Sequence, residues 1–221
     1  MKKFLWLILS FCFVIQLQAG DGINPHWLDS LTWQVKTPKL EQEFGVSKEI
    51  PRNYRTVILT ALSYYPELKG VDVEFRTSRI KTTMAAVPKM FSLLGKKEKR
   101  RFVIKINTSE RSGAILLKDL SFNAQVGVIG HELAHIVDYL SMRPGQIVRF
   151  GLDYLNIGKR REIEARTDLI AVHHGLGWQL LQFGREVLTD PQVPEQYKKY
   201  KRNIYIQPHE MLFLLGITSA Y

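Results

Sequence analysis

Cysteine is almost missing from this chain: its 221 residues include one, Cys12, near the N-terminus. Beyond that position a disulfide framework, a Cys-rich zinc module and a thiolate nucleophile are all excluded. Any metal held there must take nitrogen and oxygen ligands. No internal repeat or low-complexity segment occurs either, which argues against solenoids, propellers and disordered tracts. Long apolar runs are equally scarce. The one extended run, Phe4–Leu17, is shorter than the roughly 20 residues needed to span a bilayer. With Lys2 and Lys3 ahead of it and Ala19 after it, this stretch reads as a secretory signal over residues 1–19. Leu9-Ser10-Phe11-Cys12 is a poor lipoprotein box, because Phe11 is bulky where a small residue is wanted. The expected location is periplasmic or secreted, with a membrane anchor formed by an uncleaved N-terminus as the alternative.

Charge narrows the partners. The formal balance is +10, and removing Lys2 and Lys3 with the signal leaves (31 − 2) − 21 = +8. A basic exported chain suits anionic envelope surfaces or acidic polypeptides, and no nucleic acid partner is expected. The basic run Lys96–Arg101 reads as a solvated turn, with contact to an anionic surface as its functional alternative. After cleavage the chain is long enough for one sizeable core, and a monomer is expected.

What the sequence does contain is His131-Glu132-Leu133-Ala134-His135, an HExxH pattern inside the apolar run Val126–Leu140. On a helix, positions i and i+4 project from one face about 6 Å apart along the axis. His131 and His135 can therefore hold one metal ion together. Glu132 sits roughly 100° round from His131, beside the metal, where its carboxylate suits a general base. Val126, Val128, Ile129, Leu133, Ile136, Val137 and Leu140 supply the surface that buries this helix.

The rest of the chain is expected to build a frame around that helix. Residues 20–46 read as an extended lead-in, or alternatively a short pro-segment, ahead of a domain over 47–221. Ser47 starts a helix whose apolar residues run from Tyr54 to Tyr65. Val71–Phe75 and Arg101–Asn107 read as strands, and Thr82–Val87 as a further one. Gly113–Lys118 is an apolar run that would bind an extended peptide if it formed the edge of the sheet. Pro144–Gly158 reads as a breaker-rich connection, Glu162–His173 and Trp178–Leu188 as helices, and Met211–Ile217 as an apolar helix completing the core.

A catalytic zinc usually has three protein ligands and one open position. The helix Glu162–His173 offers the third ligand. Glu164 and Asp168 share one face, so Glu164 can reach the metal while Asp168 accepts the distal N–H of a ligating histidine. Asp138 suits a groove position better than a ligand position, and Glu162 points to solvent. Together, His131-Glu132-x-x-His135 and Glu164-x-x-x-Asp168 resemble the gluzincin branch of zinc metallopeptidases. The resemblance spans roughly Ser47 to His174, with features of both thermolysin-like and lethal-factor-like members. It implies an α+β, zincin-like single domain: a small mixed sheet packed on a backing helix and the HExxH helix, followed by a glutamate helix. It also implies one Zn2+ held by His131, His135 and Glu164, with Glu132 as catalytic base and Asp168 as the supporting acid. The implied activity is hydrolysis of a peptide or protein substrate through a zinc-bound water. A non-catalytic binding or regulatory protein of the cell envelope, on the same scaffold, is the alternative. Among His173, His174, Tyr205 and His209, none is singled out as the oxyanion donor.

Overall fold

The computed structural model describes residues 26–94 and 96–217, so the signal segment 1–19 and residues 20–25 of the lead-in lie outside the described residues. The elements run in the order α1 (Ser30–Phe44), β1 (Lys48–Glu49), α2 (Arg55–Leu62), β2 (Asp72–Ser78), β3 (Met84–Pro88), β4 (Arg101–Asn107) and α3 (Phe122–Ser141). Five more helices follow: α4 (Pro144–Asp153), α5 (Ile157–His173), α6 (Gly177–Thr189), α7 (Glu195–Ile204) and α8 (Pro208–Leu214). The fold is α+β. Among the described residues, no helix is long and apolar enough to cross a membrane.

The strands form one mixed sheet in the order β1-β2-β4-β3, with β3 antiparallel to β4 and the other pairs parallel. In the β2–β4 register Val73 lies beside Phe102 and Phe75 beside Ile104. All four belong to the buried core, with Ile58, Leu59 and Leu62 of α2 and Ile129 and Leu133 of α3. Alternation along β2 and β4 thus gives the sheet one apolar face, and the helices bury it.

Helix α3 is the centre of this packing, touching α2, α5, α6 and β3. Its start is capped by Ser121, whose hydroxyl accepts from Ala124 N and whose backbone N–H donates to Glu186 of α6 at 2.9 Å. At its other end Arg100, only 2 % exposed, donates to the carbonyls of Tyr139 and Met142, each at 2.8 Å. A guanidinium there satisfies carbonyls the helix leaves unpaired and complements its dipole. Arg100 is therefore a structural cap and not part of a solvated turn, which corrects the reading of Lys96–Arg101.

Several other expectations change. The lead-in is helical from Ser30 because Asp29 caps it, accepting from Thr32 N at 2.8 Å. Pro38 is accommodated inside α1, whose far end buries Leu40 and Phe44. Ser47 adopts φ 60°, a turn that delivers the chain into β1 instead of starting a helix. Gly113–Lys118 is no strand: Ala114, Ile115, Leu116 and Leu117 are buried in an irregular segment that ends in a 3-10 turn. The edge strands are β1 and β3, and β3 is the one that lies against α3. Pro144, placed at the first helical position, begins α4 where a loop was expected. The last helix sends Met211 into the core but leaves Phe213 and Leu214 exposed, so it completes the core only in part. Helix α7 is a further addition: its few apolar residues, Tyr197, Tyr200 and Ile204, recur at helical spacing among many charges.

The approach of α6 to α3 depends on glycine. A Cβ at Gly127 would lie 2.2 Å from the Gln179 carbonyl oxygen and 2.7 Å from Leu180 N. Backbone cannot retreat as a flexible side chain can. Gly127→Ala is expected to destabilise by about 3 kcal/mol or more despite the better helix propensity of alanine. By contrast, Gly151→Ala in α4 meets nothing within 4 Å and should gain up to about 1 kcal/mol. Thermal or denaturant unfolding of the two variants checks the opposite signs.

Candidate metal centre

Three buried donors converge between α3 and α5. The ligand atoms of His131, His135 and Glu164 lie within 4.8 Å of one another. Glu164 Oε2 stands 2.9 Å from His131 Nε2 and 3.6 Å from His135 Nε2. About 2.0–2.1 Å to each ligand puts tetrahedral donors roughly 3.3 Å apart, and these two distances bracket that value. Glu164 is fully buried, and its Oε2 has no hydrogen-bond partner. An orphaned carboxylate oxygen facing two imidazole nitrogens is a donor set that could hold a metal ion.

The α5 sequence explains the convergence. Asn156 caps the helix by accepting from Gly158 N and Lys159 N. Its buried stripe is Ile163, Glu164, Thr167, Asp168 and Ala171, at helical spacing. Polar residues thus occupy the inward face opposite the two histidines. Glu162 falls outside the stripe and pairs with Lys159 at the surface.

Each imidazole is oriented through its outer nitrogen. His131 Nδ1 lies 2.7 Å from Asp168 Oδ1, and Asp168 Oδ2 accepts from Ile206 N at 3.3 Å. His135 Nδ1 lies 3.2 Å from the Thr167 hydroxyl, which donates its own proton to the Ile163 carbonyl at 3.0 Å. The hydroxyl lone pair is therefore left to accept from His135. Both rings carry the Nδ1 proton and turn Nε2 inward, as a metal requires. Thr167 gave no sign of this role in the sequence; its position between Glu164 and Asp168 was the one available hint.

Glu164 is held from its other side. The Tyr154 hydroxyl donates to Oε1, leaving Oε2 for the imidazoles. Burial and the Glu164 charge both raise the Tyr154 phenol above its ordinary value, so it remains a donor. Tyr154 escaped sequence reading because it follows α4, in the stretch taken for a connection.

Electrostatics show the demand for a cation. Burial works against the His131 imidazolium, but the Asp168 and Glu164 carboxylates set against its two nitrogens outweigh it and draw the ring up to about 10. Burial likewise opposes the Glu164 anion, yet the two imidazoles hold its carboxyl well below the usual range. A divalent ion between these groups would compete with a proton for the same imidazole nitrogens.

Glu132 opens onto a cleft of about 240 Å³ bordered by β3, His131, His135, Tyr154, Glu164 and Tyr205. Its Oε2 accepts from Ala86 N of β3 at 2.6 Å. Thr83 O and Lys89 N bond to β4, so the backbone polar groups of Met84 and Ala86 face away from the sheet toward this cleft. Asp138 pairs with Arg166 at 2.5 Å, tying α3 to α5, and takes no part in the donor set. Of the four oxyanion candidates, Tyr205 alone reaches the site, its ring 5.5 Å from that of His131. His174 is engaged by Ile170 O and Glu67, and His173 and His209 are exposed.

No protein-family model, curated protein or solved structure matches this chain. The site accordingly rests on its own geometry.

His131→Ala is expected to abolish stoichiometric binding of a divalent metal. Asp168→Asn should weaken it about 10- to 100-fold, and Thr167→Val should weaken it less. Metal content after dialysis and competition with a chromogenic chelator check the ranking. Full metal occupancy in His131→Ala would remove this coordination.

Proposed function

We propose that the chain is an exported zinc-dependent endopeptidase of gluzincin type, with a zincin-like arrangement of its α+β domain. The observation that carries this reading is the convergence of His131, His135 and Glu164 at a cleft where a further buried carboxylate, Glu132, stands free of the ligand set. A site that only stabilised the fold would not need that carboxylate, which disfavours the non-catalytic alternative.

The donor set of two imidazoles and one carboxylate suits zinc. When bound, zinc would polarise a scissile carbonyl and lower the pKa of a bound water toward about 7. The protein's own groups do the rest. Glu132, bonded to Ala86 through one carboxylate oxygen, keeps the other to take the water's proton and pass it to the leaving amine. The outward edge of β3 leaves the Met84 N–H and the Ala86 carbonyl for pairing with an extended peptide laid along the cleft, because Ala86 N is taken by Glu132 and the Met84 carbonyl by the Thr82 hydroxyl. Tyr205, kept as a phenol by burial, supplies a donor in its wall, while the Tyr154 hydroxyl is committed to Glu164. Asp168 and Thr167 keep the imidazoles from turning during the reaction.

Digestion of a peptide library, read by mass spectrometry, tests this reading. Cleavage is expected from the zinc-loaded protein, should stop on chelation and should return with added zinc. Glu132→Gln should keep its zinc yet lose about 10²- to 10⁴-fold in turnover. Cleavage that persists in Glu132→Gln would remove that residue as the base, and cleavage indifferent to chelation would remove the metal mechanism.

A further inference from the structure

A second pocket, of about 50 Å³, also touches His131 and Glu132 and is walled mainly by Leu180, Leu181, Phe183, Val187 and Met211. One basic side chain lines it, Lys201. On α7 its neighbours Lys199 and Arg202 are exposed, but Lys201 retains 8 % of its accessibility. Its ammonium lies 3.8 Å from the Tyr205 ring centroid, 5.2 Å from that of Phe183 and 5.7 Å from that of Tyr197. The Tyr205 ring in turn lies tilted against His131, with the centroids 5.5 Å apart. Chained together, these distances leave the ammonium less than a nanometre from the imidazole.

A lysine whose side chain is this far withdrawn from the surface normally sets its ammonium against a carboxylate. Among the described residues Lys201 has no such partner, nor any side-chain hydrogen bond. Aromatic faces hold the charge in place, but they accept none of its protons in ordinary hydrogen bonds. The acids bordering the same pocket are otherwise engaged. Asp168 is bound to His131 and Ile206 N, and Glu132 accepts from Ala86 N. The pocket is thus an apolar recess with one uncompensated cation at its wall.

We propose that this recess takes a carboxylate of the substrate, with Lys201 as its counter-ion. The site then cuts beside an acidic residue or a free C-terminus. This inference rests on the peptidase reading for its context, but the carboxylate site can be tested apart from turnover. A Lys201 ammonium favours a carboxylate over the matching amide because only the carboxylate brings the opposite charge to a cation that has no acidic partner.

The experiment uses the zinc-loaded full chain and two sets of peptides. One set is amidated at the C-terminus and carries Glu or Gln at each position around the cut; the other compares free and amidated C-termini. Wild type should favour the carboxylate member of a pair by about 30-fold or more, a preference that Lys201→Arg keeps and Lys201→Met abolishes. Preference confined to Glu within the first set identifies a side chain as the source, and preference confined to the second identifies the terminus. Cleavage with equal rates for acid and amide in wild type, or an acid-to-amide ratio unchanged in Lys201→Met, overturns the proposal while leaving the peptidase reading intact. Should no peptide be cut, titration with N-acetylglutamate and N-acetylglutamine, followed by NMR, decides the point. Binding of the acid alone, lost in Lys201→Met, supports the carboxylate site, and equal or absent binding overturns it.

Discussion

The structure turns on one unscreened charge, the Glu164 carboxylate at the buried seam of α3 and α5. A carboxylate removed from water must be met by positive charge, and two imidazoles face it across less than 4 Å. The surroundings make sense in that light. Tyr154 holds one oxygen, His131 and His135 address the other, and Asp168 and Thr167 keep those rings from turning away. His131, Glu132, His135, Thr167 and Asp168 are all buried around this one carboxylate.

Placing it there requires close helix packing. Gly127 lets α6 come against the back of α3, while Tyr65 donates to the Gly130 carbonyl at 2.7 Å inside the core. Arg100 and Ser121 fasten the two ends of the same helix. With α3 held so, Glu132 meets the edge of β3 without any long loop. The sheet serves chiefly as a wall: its apolar face carries the helices and its free edge borders the cleft. A pocket with a caged lysine on one side and a cleft with bare nitrogens on the other both open from this one helix.

Much of the site could be read before the fold was known. HExxH gives two residues one turn apart, and a fixed helical pitch makes their convergence independent of the rest of the chain. Glu164 and Asp168 were accessible for the same reason, since their spacing of four assigns them a common face. Strand β4 was equally plain, because Arg101–Asn107 combines β-branched and aromatic residues with little competing signal. Other parts were hidden. Arg100 looks like one cation in a solvated run until the carbonyls at the end of α3 are brought beside it. Gly113–Lys118 has the composition of a strand, but the core buries it without a ladder. Helix α4 begins with two residues usually read as breakers, and proline at a first turn is a helix start only when the following face finds a partner.

By itself the sequence determined which residues share a helix face, and so which pairs would act together: His131 with His135, and Glu164 with Asp168. Only tertiary structure decided that the two faces meet, that Tyr154 and Thr167 join them, and that Lys201 is withdrawn from solvent into an aromatic enclosure. The reason is range. Helical geometry is settled by local hydrogen bonds over a turn or two, whereas the approach of α5 to α3, 37 positions apart at Asp168 and His131, follows from burial of the whole core.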